Sequence, residues 1–317
     1  MNDGRLLVVC KDDRTLEVID LESAATVGTV VASGFTPHEV VATADGRLAY
    51  LPVYSDAPVG SPGSDGRRVD VIDLVTLERV AGIDLDFPSR PHQASLLASG
   101  RVIVSTELDE SLTVIDRRTL RVVARLPTGR AESHTFAISL DGDRLVTANV
   151  GSGSVSVIDI PSGRLLGVVE AADTVNRICL EPGGRLAYTA DQNSPRLAVV
   201  DTDRLECVGW IDLPSIGFGT AVTADGSRLV VALRQASEIA VVDLASSEVV
   251  HRIATPDQPQ AIVLHPDGVR AYSACDAAGC VVEVDIRSGR LLRRIPTGRR
   301  PDGIAWSRRP APDDRPA

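Results

Sequence analysis

Three observations predict an all-β fold, a seven-bladed β-propeller with four-stranded antiparallel blades. Seven segments recur in one register: the first step is 54 residues long, and each later step is 42 residues. Each repeat holds four short runs rich in Val, Ile, Leu and Ala, which Gly, Ser, Asp and Pro turns separate. The two ends of the chain supply complementary parts of one repeat. A four-stranded unit repeated seven times favours a propeller over a sandwich or a barrel.

The third repeat shows the four predicted strands of one unit. They cover residues 134–139, 144–148, 155–160 and 165–170. An aspartate near the end of the third strand recurs in every unit, at Asp20, Asp73, Asp116, Asp159, Asp201, Asp243 and Asp285. We interpret these carboxylates as acceptors of backbone N–H groups that order the following turn.

The chain ends predict how the propeller closes. Residues 5–31 contain the second, third and fourth strands of a blade, whereas residues 302–308 contain a lone first strand. Their pairing would complete the seventh blade and cover two sheet edges. We therefore expect one domain over residues 1–308, followed by a disordered tail at 309–317.

The longer first step comes from an insertion between the second and third strands of the first repeat, at residues 54–66. Long Gly, Pro and Ser loops in compact domains are either functional lids or disordered insertions. A lid is favoured, because the insertion lies on the same face of the propeller as a cluster of histidines described below.

Composition limits the classes of partner. The formal net charge of −10 argues against nucleic-acid binding, which needs a basic face. No apolar run reaches the roughly 18 residues of a membrane span, so no membrane partner is expected. The N-terminus lacks the apolar core of a signal peptide, so we expect a cytoplasmic protein. We expect a monomer, with a dimer as the alternative, and a small-molecule substrate as its partner.

Five cysteines show no CxxC spacing typical of metal sites: Cys10, Cys179, Cys207, Cys275 and Cys280. Cys275 and Cys280 are close enough in sequence to close a short loop. Reduced thiols that pack as small apolar groups are the favoured interpretation for a cytosolic chain.

One position of the repeat predicts a ring of side chains at the mouth of the central channel. In the first six repeats it lies eight residues before a turn glycine, and the seventh member follows at the same 42-residue step. The position is occupied in order by His38, His92, His134, Asn176, Phe218, Gln260 and Asp302. Three of the five histidines fall on this position, in three consecutive blades. Their imidazoles should therefore stand side by side on one arc, whereas His251 and His265 are interpreted as structural.

Three converging imidazoles suit a divalent metal such as Zn, Fe, Cu or Mn, with His38, His92 and His134 as ligands. The alternatives are an acid/base or substrate-binding role, or channel-lining groups satisfied by water. Glu107 is the preferred carboxylate, because it follows the second strand of the His92 blade. Glu39 follows His38, and because successive side chains of a strand point to opposite faces, it is expected to point away from the histidines. No nucleotide, haem or flavin motif is visible.

Other polar or aromatic side chains on the same face are candidates for substrate binding. They are Arg90, Arg177, Asn149, Asn176, Asp191, Phe218, Arg234, Gln260 and Asp302. Acids and bases that face one concavity are what a proton-transfer site requires.

Three segments resemble the repeats of the YVTN-type (YncE- and lactonase-like) β-propeller proteins: Ser156–Ala171, Gly184–Asp191 and Glu283–Trp306. The resemblance covers nearly all of the chain and implies a seven-bladed propeller. Members of this group include sugar lactonases, lyases, electron-transfer subunits and proteins without known activity. Repeats three to five depart from the usual proline before the ring position, since Ser133, Val175 and Gly217 stand there.

The leading prediction is an enzyme acting on a small polar or anionic molecule at the channel mouth. Lyase or hydrolase chemistry, such as lactone opening, is favoured, with a metal-dependent mechanism as one form of it. One alternative is a non-catalytic propeller that binds a ligand or protein. Another is a non-haem metal oxidase or oxygenase.

Overall fold

The computed structural model describes residues 4–57 and 61–311 and confirms the predicted all-β seven-bladed propeller. Six blades are four-stranded antiparallel sheets, and the first blade differs in having its inner strand split in two. The described ranges contain two single-turn 3-10 helices, Glu107–Asp109 and Arg234–Ala236. Within the described ranges, no helix is long or apolar enough to cross a membrane.

We number the blades along the chain and give the inner strand first. Blade 1 comprises Thr36–Pro37 with Val41–Ala42, Leu48–Ser55, Asp65–Asp73 and Glu78–Asp84. Blade 2 comprises Pro91–Leu96, Val102–Thr106, Ser111–Asp116 and Arg121–Pro127. Blade 3 comprises Ser133–Ile138, Arg144–Asn149, Ser154–Asp159 and Arg164–Glu170. Blade 4 comprises Val175–Leu180, Leu186–Asp191, Arg196–Asp201 and Glu206–Asp212.

The remaining blades follow the same plan. Blade 5 comprises Thr220–Val222, Arg228–Leu233, Glu238–Asp243 and Glu248–Ala254. Blade 6 comprises Pro259–Leu264, Arg270–Cys275, Cys280–Asp285 and Arg290–Pro296. Blade 7 comprises Pro301–Ser307, Arg5–Cys10, Thr15–Asp20 and Ala25–Val31.

The seventh blade closes the ring as predicted. Arg5–Cys10 pairs antiparallel with Pro301–Ser307, so that Leu6 lies opposite Trp306 and Leu7 opposite Ala305. Alternate residues of Arg5–Cys10 then face different neighbours: Leu6 packs toward blade 6 and Leu7 toward blade 1. The hydrophobic core is accordingly divided into seven clusters, one between each pair of adjacent blades.

The recurring aspartates act as predicted. The Asp116 carboxylate accepts hydrogen bonds from the backbone N–H groups of Arg118 and Thr119, each at 2.9 Å. The other six aspartates accept backbone N–H groups of their following turns in the same way. These carboxylates are part of the scaffold, because their acceptor capacity is used locally.

β-Bulges mark the ring positions. In five blades the register between the inner and second strands shifts at the ring residue, namely at His92, His134, Asn176, Gln260 and Asp302. A bulge places an extra residue opposite one partner and re-aims its side chain. The other two ring residues, His38 and Phe218, lie outside the assigned strands.

The insertion and the tail differ from the sequence-based prediction. Tyr54 and Ser55 belong to strand Leu48–Ser55, and Asp65 and Gly66 belong to strand Asp65–Asp73, so the insertion first lengthens a hairpin. The connection is confined to residues 56–64, of which 58–60 lie outside the described residues.

The predicted tail begins as packed chain rather than as a free end. Arg309 forms ion pairs with Asp20 and with Glu22, the latter at 3.1 Å. These contacts anchor the segment to blade 7. The rest of the predicted tail, residues 312–317, lies outside the described residues.

Leu6→Ala tests whether the blade 6–7 cluster carries stability. Leu6 is fully buried in that cluster, so its truncation should lower the free energy of unfolding by about 2–5 kcal/mol. Leu140→Ala is the matched control, because Leu140 is 76% exposed and should change the free energy little. Urea denaturation of both variants measures the difference, and equal values would contradict this account of closure.

Candidate active site

The three ring histidines stand side by side at the channel mouth. The ring centroids of His38 and His92 are 5.0 Å apart, and those of His92 and His134 are 3.7 Å apart. His92 and His134 are buried, whereas His38 retains partial exposure. The repeat therefore brings imidazoles from three consecutive blades into one continuous arc.

Glu107 lies beneath this arc and orients His134. It begins the 3-10 helix after the second strand of blade 2, and it is 1% exposed. Its Oε1 lies 2.5 Å from Nδ1 of His134, and its Oε2 accepts a hydrogen bond of 2.7 Å from the Tyr54 hydroxyl. An ionised carboxylate can only accept, so His134 carries its proton on Nδ1 and leaves Nε2 as the basic nitrogen.

Tyr54 is a site residue that the sequence analysis missed. It is fully buried, and its ring makes edge contacts with His38 at 4.9 Å and with His92 at 5.3 Å between centroids. Burial and the Glu107 carboxylate raise the pKa of Tyr54 above its ordinary value. Tyr54 is therefore a neutral phenol that donates to Glu107. In the sequence, an aromatic residue directly before the long insertion was the feature that could have indicated it.

His38 is held by a carboxylate of its own. Its Nδ1 lies 3.0 Å from Oδ2 of Asp302, which also lies 3.3 Å from Lys11 Nζ. Burial would raise the pKa of Asp302, but Lys11, His38 and Arg177 outweigh it and hold this pKa well below its ordinary range. Asp302 is thus an ionised partner that fixes the His38 ring.

His92, between these two pairs, has no such partner. Its Nδ1 is buried and has no hydrogen-bond partner among the described residues. Burial lowers the pKa of His92 well below its ordinary value, and the neighbouring His134, His38, Arg177 and Lys11 lower it further. His92 is therefore a neutral imidazole with an unused nitrogen inside the site.

Three of these groups could hold a metal ion. Ligand atoms of His92, Glu107 and His134 all lie within 4.8 Å of one another, and all three residues are buried. Two imidazoles and one carboxylate form a donor set suited to Zn, Fe(II) or Mn. This cluster differs from the predicted set, because Glu107 takes the place of His38, whose Nδ1 faces Asp302.

Arg177 occupies the interior of the ring. It lies 2.6 Å from Glu39 and 3.3 Å from Asp302, and its guanidinium stacks 5.6 Å from the centroid of Phe218. The expectation that Glu39 points elsewhere is wrong. The inner strand of blade 1 breaks at residues 38–40, so simple alternation does not apply there.

Other predicted residues have different surroundings. Asn149 uses its amide on Ser133, Thr147, Ser154 and Ser156 within blade 3. Asp191 pairs with Arg196 of its own blade at 3.0 Å. Asn149 and Asp191 therefore make contacts that support the scaffold of their own blades.

Arg90 anchors the blade 1 hairpin, contacting Asp65 at 2.5 Å and the Ser61 carbonyl at 2.7 Å. Asn176 leaves its Oδ1 buried without a partner among the described residues.

Asp276 is a second charged residue that the sequence analysis missed. It is 2% exposed, and it accepts hydrogen bonds from Arg300 at 2.8 Å, Gln260 at 2.5 Å and Lys11 at 3.3 Å. Arg234 lies 3.7 Å away. Asp276 directly follows the second strand of blade 6, as Glu107 does in blade 2, so the repeat position was the signal.

A cavity of about 410 Å³ opens beside His38. Its lining includes four cationic side chains, Lys11, Arg14, Arg299 and Arg300, against two carboxylates, Asp12 and Asp56. Carboxylates outside the lining neutralise much of this positive charge: Arg300 and Lys11 share Asp276, Lys11 also contacts Asp302, and Arg299 pairs with Asp13. The cavity is of small-molecule size, and its lining holds more cationic than anionic side chains.

Comparison with known proteins supports the fold. No family model matches the chain, and no curated protein matches it. The YVTN-type resemblance therefore stays a prediction. The chain is similar in structure to a functionally unknown protein of Desulfotomaculum acetoxidans, with 14% identity, a TM-score of 0.78, and coverage of 96% of this chain and 99% of the other.

Two further similar structures have named activities. The periplasmic gluconolactonase of Pseudomonas aeruginosa shares 18% identity at a TM-score of 0.72, over 96% of this chain and 99% of that one. Hydrazine synthase of Kuenenia stuttgartiensis shares 18% identity at a TM-score of 0.73, over 88% of this chain and 94% of that one. Likeness at this level shows the propeller fold, so activity and cytoplasmic location stay predictions.

The low pKa of His92 predicts a pH dependence of stability. Below about pH 6.5 the unfolded chain protonates this histidine while the folded chain does not, so stability falls as pH falls. His92→Asn should reduce the slope of the free energy of unfolding against pH by up to about 1.4 kcal/mol per pH unit. Urea denaturation at several pH values measures it. Equal slopes for the wild type and His92→Asn would contradict a neutral His92.

Proposed function

We propose that this chain is a hydrolase that opens a small anionic lactone or ester at the channel mouth by acid/base catalysis. The observation that carries the proposal is the buried pair of Glu107 and His134, 2.5 Å apart, beside the neutral His92. A base oriented by a buried carboxylate is the arrangement that activates water for attack on a carbonyl group.

His134 is the proposed general base. Its Nδ1 faces Glu107, so Nε2 is the nitrogen that can take a proton. Nε2 takes a proton from water as the water oxygen bonds to the carbonyl carbon. The Glu107 carboxylate stabilises the resulting imidazolium, and the Tyr54 hydroxyl fixes its second oxygen. The same proton then passes to the alkoxide when the ring C–O bond breaks.

His92 supplies a neutral donor next to that base. The His92 and His134 rings cannot carry a charge at the same time, because their centroids lie 3.7 Å apart in a buried site. A neutral imidazole can donate an N–H to an oxygen that gains negative charge in the transition state. The same pair of imidazoles could run a lyase reaction, in which the base removes a proton beside a carboxylate.

The cationic lining of the neighbouring cavity selects the substrate. Lys11, Arg14 and Arg300 lie around the opening next to His38, where a substrate carboxylate or phosphate would be held. This placement leaves the reacting carbonyl to reach inward toward His92 and His134. The structural similarity to a gluconolactonase supports this choice of reaction class.

A metal-dependent form of this function is the second candidate. The unpartnered Nδ1 of His92 favours it, because a buried polar atom without a partner is costly unless something binds it. A metal held by His92, Glu107 and His134 would polarise a carbonyl or acidify water. The two-histidine, one-carboxylate donor set would also suit non-haem oxidation, so the identity of a bound metal would separate these chemistries.

Glu107→Gln tests the acid/base proposal. The variant keeps the shape of the side chain but removes the charge that stabilises imidazolium, so kcat should fall by about 10²–10⁴-fold with a small change in KM. Turnover is measured on a panel of lactones that carry a carboxylate or phosphate. Glu110→Gln, an exposed neighbour, should keep wild-type activity.

Two outcomes would contradict the acid/base proposal. Wild-type turnover that Glu107→Gln leaves intact would exclude this carboxylate from the chemistry. Tight binding of these anions without any turnover would instead support a non-catalytic ligand-binding propeller.

Metal analysis of protein purified without a histidine tag tests the metal-dependent form. That form predicts about one ion per chain and a lower melting temperature after chelation. His92→Ala and Glu107→Gln should each lose the ion, whereas His38→Ala should retain it, because His38 lies outside the cluster. Fewer than about 0.1 ions per chain, with unchanged melting, would contradict a structural or catalytic metal here.

A further inference from the structure

Two cysteines lie opposite one another in blade 6. Cys275 ends the second strand and Cys280 begins the third, and the two residues are register partners across the hairpin. Both are buried and both are free thiols. A four-residue turn, 276–279, separates them. The acid/base and metal proposals do not use either sulfur.

The repeat shows how side chains at this pair of positions meet. The equivalent partners in blade 2, Thr106 and Ser111, place their hydroxyl oxygens 3.4 Å apart. In blade 3, the Asn149 amide nitrogen donates to the Ser154 hydroxyl at 3.1 Å. Cys275 and Cys280 are the equivalent register partners in blade 6. Side chains at this pair therefore point at one another.

The backbone spacing of such a pair also permits a covalent bond. Directly opposed residues of antiparallel strands have Cα atoms about 4.5 or 5.5 Å apart. A disulfide spans Cα separations of about 4.4–6.8 Å. Register partners in a regular hairpin can thus be bridged without moving the strands.

The two sulfurs differ in reactivity. The neighbouring Cys275 thiol lowers the pKa of Cys280 to about 7, with burial opposing this effect and Arg294 adding to it. The same contact raises the pKa of Cys275. By contrast, burial raises the pKa of Cys10 and that of Cys179 to about 12 each. Cys280, which keeps a small exposed area, is thus the better nucleophile of the pair.

We propose that Cys275 and Cys280 form a redox-active dithiol that is reversibly oxidised to a disulfide by small-molecule disulfides. The Cys280 thiolate attacks one sulfur of the small disulfide, whose S–S bond breaks and releases one thiolate. Cys275 then loses its proton and attacks the Cys280 sulfur, which releases the second thiolate. The protein loses two electrons and two protons, and the small disulfide becomes two thiols.

The position of the pair links it to the channel mouth. Asp276, the residue after Cys275, holds Lys11, Gln260 and Arg300 of the site. A disulfide would fix the hairpin from which this carboxylate projects. The modification is independent of the proposed hydrolase, because its chemistry needs neither Glu107 nor the histidines.

Thiol counting on the folded full-length chain tests the dithiol. After incubation with oxidised glutathione as the small disulfide, wild-type protein should keep three of its five thiols and lose about 2 Da. Cys275→Ser should instead trap one glutathione adduct at Cys280, and Cys280→Ser should form neither product. Cys10→Ser is the matched control and should form the disulfide normally. Thermal melting confirms that each variant is folded.

A second measurement separates a reactive pair from accidental proximity. Alkylation of Cys280 in wild-type protein should increase through a midpoint near pH 7, and Cys275→Ala should shift this midpoint upward, because the neighbouring thiol is gone. Retention of all five thiols in the folded chain, or adducts spread over other cysteines, would overturn the proposal. An alkylation midpoint that Cys275→Ala leaves in place would overturn it equally.

Discussion

The antiparallel pairing of Arg5–Cys10 with Pro301–Ser307 is the constraint on which the ring and its site depend. It covers the sheet edges that these two strands would otherwise expose, and it also brings residues from opposite ends of the chain to the channel mouth. The backbone N–H of Gly303 donates to the His38 carbonyl at 2.8 Å, which places Asp302 against the His38 ring. Lys11 reaches the same carboxylate from the N-terminal strand. Closing the fold and assembling one side of the site are therefore a single event.

Charge balance explains why so many ionisable groups can be buried around one channel. An isolated buried charge is expensive, whereas a charge that accepts hydrogen bonds or has partners of opposite sign is tolerated. Glu107 has two neutral donors, His134 and Tyr54. Glu39 pairs with Arg177, and Asp276 accepts hydrogen bonds from two cations and an amide. His92 is the exception, because it has no opposite charge and stays neutral. The unequal members of the ring thus form two oriented imidazoles with an unpartnered one between them.

The sequence predicted the blades and the arc of histidines because both follow from one repeat length. Glu107 was also predicted, and Asp276 occupies the same repeat position, so it could have been found by the same reasoning. Tyr54 was hidden by the insertion, which lengthens a strand before it turns. Glu39 was misassigned because the inner strand of blade 1 is interrupted, and alternation holds only in continuous strands. The His38–Asp302 contact depends on closure of the ring, a tertiary event that no local pattern encodes.

Two carboxylates, Asp302 and Glu107, set the protonation of the histidine arc for proton transfer. Nitrogen-15 NMR of histidine-labelled protein near neutral pH measures this directly, because ring nitrogen shifts report tautomer and charge. We expect Nδ1–H in His38 and His134, each hydrogen-bonded to its carboxylate, and a neutral His92. A positively charged His92, or a His134 whose Nδ1 carries no proton in metal-free protein, would contradict this assignment.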